Sequence, residues 1–201
     1  MTPQVKPSAR ATRRLQTRER ILGAAIAEFT RAGMAGADVG AIVAAAGVAH
    51  GTFFFHFPSK EHVLLELESR EEARLAVDFA RFLDGAHTLR AALAEVVRLV
   101  MDLEHRFGPV LFKELLALHF SPTRPHEDEW TDHPVIVLLV GEIERARGHG
   151  EVHPAVDAFY SATFFLLGIY GVLTTTVNPD TRETMLAKLV DTAVRGLGKE
   201  V

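Results

Sequence analysis

Apolar residues recur at intervals of three and four along nearly the whole chain, the spacing of amphipathic helices. Leu22, Ala25, Ile26 and Phe29 follow a basic start and precede Arg31-Ala32-Gly33, which predicts a first helix near 16–32. Asp38 is placed to cap a second helix over VGAIVAAAG, barely two turns long, and Gly47 suits the left-handed turn at its end. The stretch HGTFFFH has room for one more short helix before Phe57-Pro58, after which Ser59 opens a long helical run from Lys60 to about Leu83. Further helices are predicted near 88–105, 107–119, 134–148, 154–177 and 180–197, punctuated at Gly85, Gly108-Pro109, residues 121–134, Gly148-His149-Gly150 and Asn178-Pro179. The pattern is that of an all-α chain of about nine helices. SPTRPHEDEWTDHP is its longest expected loop, because its prolines oppose helix and its acids oppose burial.

Two segments depart from simple amphipathicity. In GTFFFHF, successive helical side chains point about 100° apart, so three consecutive phenylalanines fan over roughly 200° and cannot share one core. At least one ring faces outward. Residues Ala158 to Val177 carry no charge, a length that would cross a membrane. Threonines, glycines and tyrosines dilute the run and basic flanks are missing, so a helix buried on all sides is the preferred reading, with no membrane partner.

Composition narrows the function classes. At 201 residues and 48% hydrophobic content, the chain has material for one sizeable body or two small ones. It has no cysteine, which excludes disulfides, thiolate metal sites and cysteine nucleophiles and fits a reducing compartment. MTPQVKPSARATRRLQTRER has no apolar signal-peptide core, so a cytoplasmic location is expected. The net charge of −4 is unevenly spread: residues 1–60 hold eight basic and three acidic groups, a net of +5, against −9 for the rest. A basic head on an acidic body fits a polyanion partner or a solubilising arm equally well. The histidines, including His119, His126, His133, His149 and His153, show no compact zinc spacing, and HExxH, GxSxG and a glycine-rich phosphate loop are all missing. No enzyme, metal or cofactor is expected.

A helix followed by two short helices around a glycine-bearing turn, in the basic part of the chain, is the layout of a helix-turn-helix unit. From Thr17 to about Leu65, in TRERILGAAIAEFTRAG and AIVAAAGVAHGTFFFHFPSKEHVLLE, the chain resembles the tetracycline-repressor (TetR) family of bacterial transcription regulators. The Ala-Ala-Gly-Val, Gly-Thr and His-Phe-Pro-Ser-Lys elements lie in that family's order and spacing. The resemblance implies a three-helix DNA-binding domain over 16–59, preceded by a flexible basic arm over 1–15. A helical effector-binding and dimerisation domain follows over 60–201. It also implies that Val48–His56 is the recognition helix of a homodimer on a partly palindromic double-stranded operator.

Roles follow residue by residue. The family buries an aliphatic side chain at the position of Phe53, which assigns Phe53, with Phe57, to the core. Phe54 stands where the family usually has a tyrosine whose hydroxyl reaches phosphate, a bond phenylalanine cannot make. Phe55 varies among relatives and faces DNA, with groove contact and plain packing both open. His50 replaces a frequent Lys or Arg, so its contact strengthens as pH falls. Lys60 matches a phosphate-binding lysine, Thr52 offers a hydroxyl, and Arg18 is in reach of phosphate; Ala49, Gly51 and His56 complete the expected DNA-contacting set. Arg10, Arg13 and Arg14 are either a groove-following arm or a solvated tail. Asp38 stands where threonine is preferred and is read as a structural cap.

The second domain is read mainly from the residues. Phe79, Phe82, Phe107, Phe112 and His119 are candidates to line an apolar effector pocket, as are Phe120, Trp130, Phe164 and Phe165. Ordinary core packing competes for each. The bias points to a small hydrophobic or aromatic effector. In the family the last two helices of each subunit form a four-helix dimer interface, to which Ala162, Gly168 and Gly171 would bring close helix approach and Met185, Leu189, Thr192 and Ala193 the neighbouring surface. The expected function is a DNA-binding repressor released by its effector. The alternatives are a small-molecule binding protein on the same fold with weakened DNA binding, and an all-helical enzyme, which would lack any catalytic constellation.

Overall fold

The computed structural model describes residues 8–119 and 133–198. They form eight helices: α1 (Ala9–Gly36), α2 (Val39–Ala46), α3 (His50–His56), α4 (Lys60–Leu83), α5 (Leu89–His119), α6 (Pro134–Gly148), α7 (Ala158–Thr175) and α8 (Pro179–Leu197). Among the described residues there is no strand, only an isolated bridge between Val152 and Gly198. The fold is all-α. The helix count falls from nine to eight because the segments expected at 88–105 and 107–119 run on as α5, broken but not ended where Gly108 adopts φ 72°, ψ 165° ahead of Pro109.

The chain falls into two compact units. Described residues up to Ser69, with Phe107–Leu115, form the first; Arg70–Arg106, with described residues from Leu116 on, form the second.

In the first unit, α1 starts earlier than the apolar pattern indicates. Ser8 accepts a hydrogen bond from the Ala11 amide at 3.2 Å and caps the helix, so residues 9–15, expected as part of a flexible arm, are helical. At the other end Gly33 takes φ 68°, ψ 170°, a conformation reserved largely for glycine. The Met34 amide freed by that break donates to Glu114 Oε1 at 3.3 Å. Both Asp38 carboxylate oxygens accept α2 amides, from Gly40 at 3.0 Å and Ala41 at 3.1 Å, which makes Asp38 a structural cap. Gly47 ends α2 in the left-handed region at φ 63°, ψ 43°, and the next helix leaves at 96°, within the range of helix-turn-helix pairs. Ile21, Leu22, Ala25, Phe29, Ile42, Phe53, Phe57, Val63 and Leu64 fill the core between these helices.

The second unit packs α6 against α7 and α7 against α8. Its core takes Phe79, Leu93, Val96, Leu139, Ile143, Ala162, Leu166 and Ile169. Gly168 lets α8 come close: a Cβ there would lie 2.9 Å from Leu189 Cδ1. Glu142 is buried on α6, where His87 Nε2 lies 3.1 Å away and Arg145 Nη2 2.6 Å away. Burial pushes its carboxyl up, but hydrogen bonds and charge from Arg145 and His87 outweigh that and hold it below the usual carboxylate range. The apolar run read as a helix buried on all sides is α7, and only one side is buried: Ala162, Phe165, Leu166 and Ile169 face inward while Tyr160, Phe164 and Leu167 are exposed.

Candidate DNA-binding surface

Three apolar side chains in succession on α3 have three different surroundings. Phe53 is fully buried and packs near Phe57, ring centroids 6.1 Å apart. Phe54 is 47% exposed, with His50 one turn earlier at 5.2 Å on the same face. Phe55 is 69% exposed. Ala49, His50 and Gly51 are also exposed and Thr52 is half-buried, so α3 presents a continuous outer face from Ala49 to Phe55. The helix starts without a side-chain cap, and in its first turn the Thr52 amide donates to the Ala49 carbonyl at 2.8 Å.

His56 departs from its expected role in contacting DNA. It is 8% exposed, turned inward because it lies three residues beyond Phe53 on the buried side of the helix. Burial, then the charges of Arg18 and Arg14, pushes its imidazole below the ordinary 6.5, which favours the neutral ring.

Two cations expected to reach phosphate are engaged inside the protein. Arg18 pairs with Glu66 on α4, donates to the His56 carbonyl at 2.5 Å, and lies 4.1 Å over the Phe57 ring. Its guanidinium thereby ties α1 to the end of α3. Lys60 Nζ donates to the carbonyls of Met34 at 2.7 Å and Ala37 at 2.9 Å, satisfying acceptors exposed where α1 breaks. Arg14, read as arm or tail, is instead on helix α1 with its guanidinium 5.3 Å from the centroid of Phe55. The sequence carried a signal for this: Arg10, Arg14 and Arg18 recur every four residues, one side of a helix.

The effector candidates divide between the two units. Phe79 and Phe165 are buried and Phe82 half-buried in the second unit, but Phe107 and Phe112 belong to the first, with Phe112 in its core. Phe164 is 66% exposed because its place on α7 is opposite the buried stripe, so it does not line the interior of the chain. Phe120 and Trp130 lie outside the described residues, as does the side chain of His119. Among the described residues no cluster of metal-ligating side chains occurs.

The expected dimer residues also divide. Ala162 is buried in the chain's own core, and Gly168 with half-buried Leu189 makes the close α7–α8 approach within one chain, so these three serve internal packing. Gly171, Met185 and Thr192 are exposed, and Ala193 half-buried.

Residues 21–67 match the family model of bacterial regulatory proteins of the tetR family. The HTH-type transcriptional regulator UidR of Escherichia coli (strain K12) is 27% identical over 159 residues, covering 78% of this chain and 80% of that protein. CprB, a TetR family protein from S. coelicolor A3(2), is 26% identical with a TM-score of 0.63, over 92% of this chain and 90% of that one. FadR of Thermus thermophilus, a TetR family transcriptional repressor solved with lauroyl-CoA, has the same fold at a TM-score of 0.69 and 23% identity, over 92% and 97%. These matches give residues 21–67 the DNA-binding segment of the tetR family, and over most of its length the chain is similar to DNA-binding transcription regulators.

Proposed function

We propose that the chain represses transcription as a homodimer on a partly palindromic operator and leaves it when a small hydrophobic molecule binds the second unit. The observation that carries this reading is the division of α3: Phe53 and His56 lock it to the first unit, while its face from Ala49 to Phe55 remains open to a groove. Dimerisation is supported by Tyr160, Phe164, Leu167 and Gly171, an exposed, largely apolar stripe at helical spacing on α7. A symmetric copy covers such a stripe and spaces two recognition helices. The lauroyl-CoA bound to Thermus thermophilus FadR lends weight to an apolar effector. Among the described residues of the second unit, Phe79, Phe82 and Phe165 are candidates to touch it. The regulator would work in the cytoplasm, where its operator is.

By linkage, effector and operator weaken each other's binding by one factor. A thermal-shift screen of acyl and aromatic compounds identifies ligands through the rise in unfolding temperature. Such a ligand lowers operator affinity, and operator lowers ligand affinity equally; a stabilising ligand that leaves operator affinity unchanged contradicts effector release. The internal engagement of Arg18 and Lys60 favours a second reading, a ligand-binding protein with weakened DNA binding. In that case operator and random duplexes bind alike.

A further inference from the structure

With Arg18 bound to Glu66 and the His56 carbonyl, and Lys60 bound to Met34 and Ala37, neither cation beside α3 is free to serve DNA alone. Arg14 differs. It sits in the second turn of a helix capped by Ser8, on the same side of α1 as Arg18, and its guanidinium lies over the exposed ring of Phe55. A guanidinium stacked on an aromatic face keeps its in-plane N–H donors available, so the ring fixes the cation without consuming its hydrogen bonds. Phe55 is itself held edge-to-face against the buried His56, at 5.3 Å and 86°. The series His56, Phe55, Arg14 runs from the core to an unspent cation at the rim of the recognition helix.

We infer that Phe55 is a positioning residue that holds Arg14 against a backbone phosphate beside the groove entered by α3. This deepens the DNA-binding reading and rests on it. A phosphate contact is indifferent to sequence, so removing it weakens every duplex alike, whereas loss of a base contact weakens the preferred duplex most.

The test measures binding of wild type, Arg14→Ala, Phe55→Ala, Phe55→Trp and the Arg14→Ala/Phe55→Ala double variant over a salt series. The probes are a duplex from upstream of the chain's own reading frame and a random duplex of equal length. Loss of one phosphate contact reduces the log–log salt slope by about 0.9, so loss from both protomers of a bound dimer reduces it by about 1.8. Arg14→Ala produces that fall on both duplexes, Phe55→Ala a fall of similar size although no charge is removed, and the double variant no more than either alone. Phe55→Trp keeps the slope. A ring needed only for folding would leave the slope in place. The inference is overturned if Phe55→Ala retains the wild-type slope, if it weakens the upstream duplex alone, or if the two losses add. A wild-type chain without salt-dependent binding overturns the DNA-binding reading with it.

Discussion

The phenylalanines of α3 illustrate how one side-chain type takes different roles according to direction. Phe53, fully buried, belongs to the core of the first unit, and Phe53→Ala should cost about 3–5 kcal/mol of stability, read as a lowered unfolding temperature. Phe54 is open enough to accept a hydroxyl. Phe54→Tyr should therefore strengthen binding to operator and random duplexes alike, by roughly three- to tenfold for the hydrogen bond added by each protomer, without altering sequence preference. Unequal gains on the two duplexes would count against a phosphate contact.

His56 adds a pH dependence with a defined sign. Its folded-state imidazole is pushed below the ordinary 6.5 by burial and then by Arg18 and Arg14, so the unfolded chain protonates first as pH falls. Its contribution to stability is present above about pH 6.5 and is lost as pH falls through the lower folded value. The unfolding temperature should drop more between pH 7.5 and pH 5.5 in wild type than in His56→Leu; equal drops would remove this residue as the cause.

At the scale of elements, local signals were the legible ones. Asp38 and Gly47 mark both ends of α2 because cap and left-handed turn each act within a few residues. The early start of α1 escaped the apolar pattern because ARATRRLQ holds few apolar residues, and only the Ser8 cap and the four-residue spacing of arginines point to helix. What residue spacing could not convey was where long side chains end. Arg18 reaches a glutamate 48 residues away and Lys60 a carbonyl 26 residues away, so the same cation that suggests phosphate contact by sequence closes an internal junction by geometry. The mixed burial of α7 was hidden for a related reason, since an uncharged helix does not show which of its sides meets its own core.

The α7–α8 contact is the element most sensitive to added volume. Gly168→Val places methyl groups where even a Cβ meets Leu189 at 2.9 Å, and overpacking of this kind costs about 1–3 kcal/mol. Calorimetry should show the loss in the unfolding temperature. An unchanged temperature would mean that Leu189 turns aside freely.

At the scale of the whole molecule, the proposed operator binding requires two recognition helices at a fixed spacing, and therefore a dimer. Phe164, 66% exposed and stacked near Tyr160 with ring centroids 6.1 Å apart, lies in the middle of the exposed face of α7. Phe164→Glu should leave helicity unchanged by circular dichroism but shift sedimentation toward monomer and lower operator affinity at the same time. A dimer that persists would place the interface elsewhere.

The most direct test of DNA recognition through α3 is a fluorescence-anisotropy titration of the upstream and random duplexes at physiological salt. Specific regulators favour their site by about 10³ or more over non-specific DNA. The account predicts saturable binding with a preference of that order, lost on replacing His50 and Phe54 together by alanine in a chain that still unfolds cooperatively. Equal affinity for both duplexes, or a preference untouched by that replacement, would contradict it.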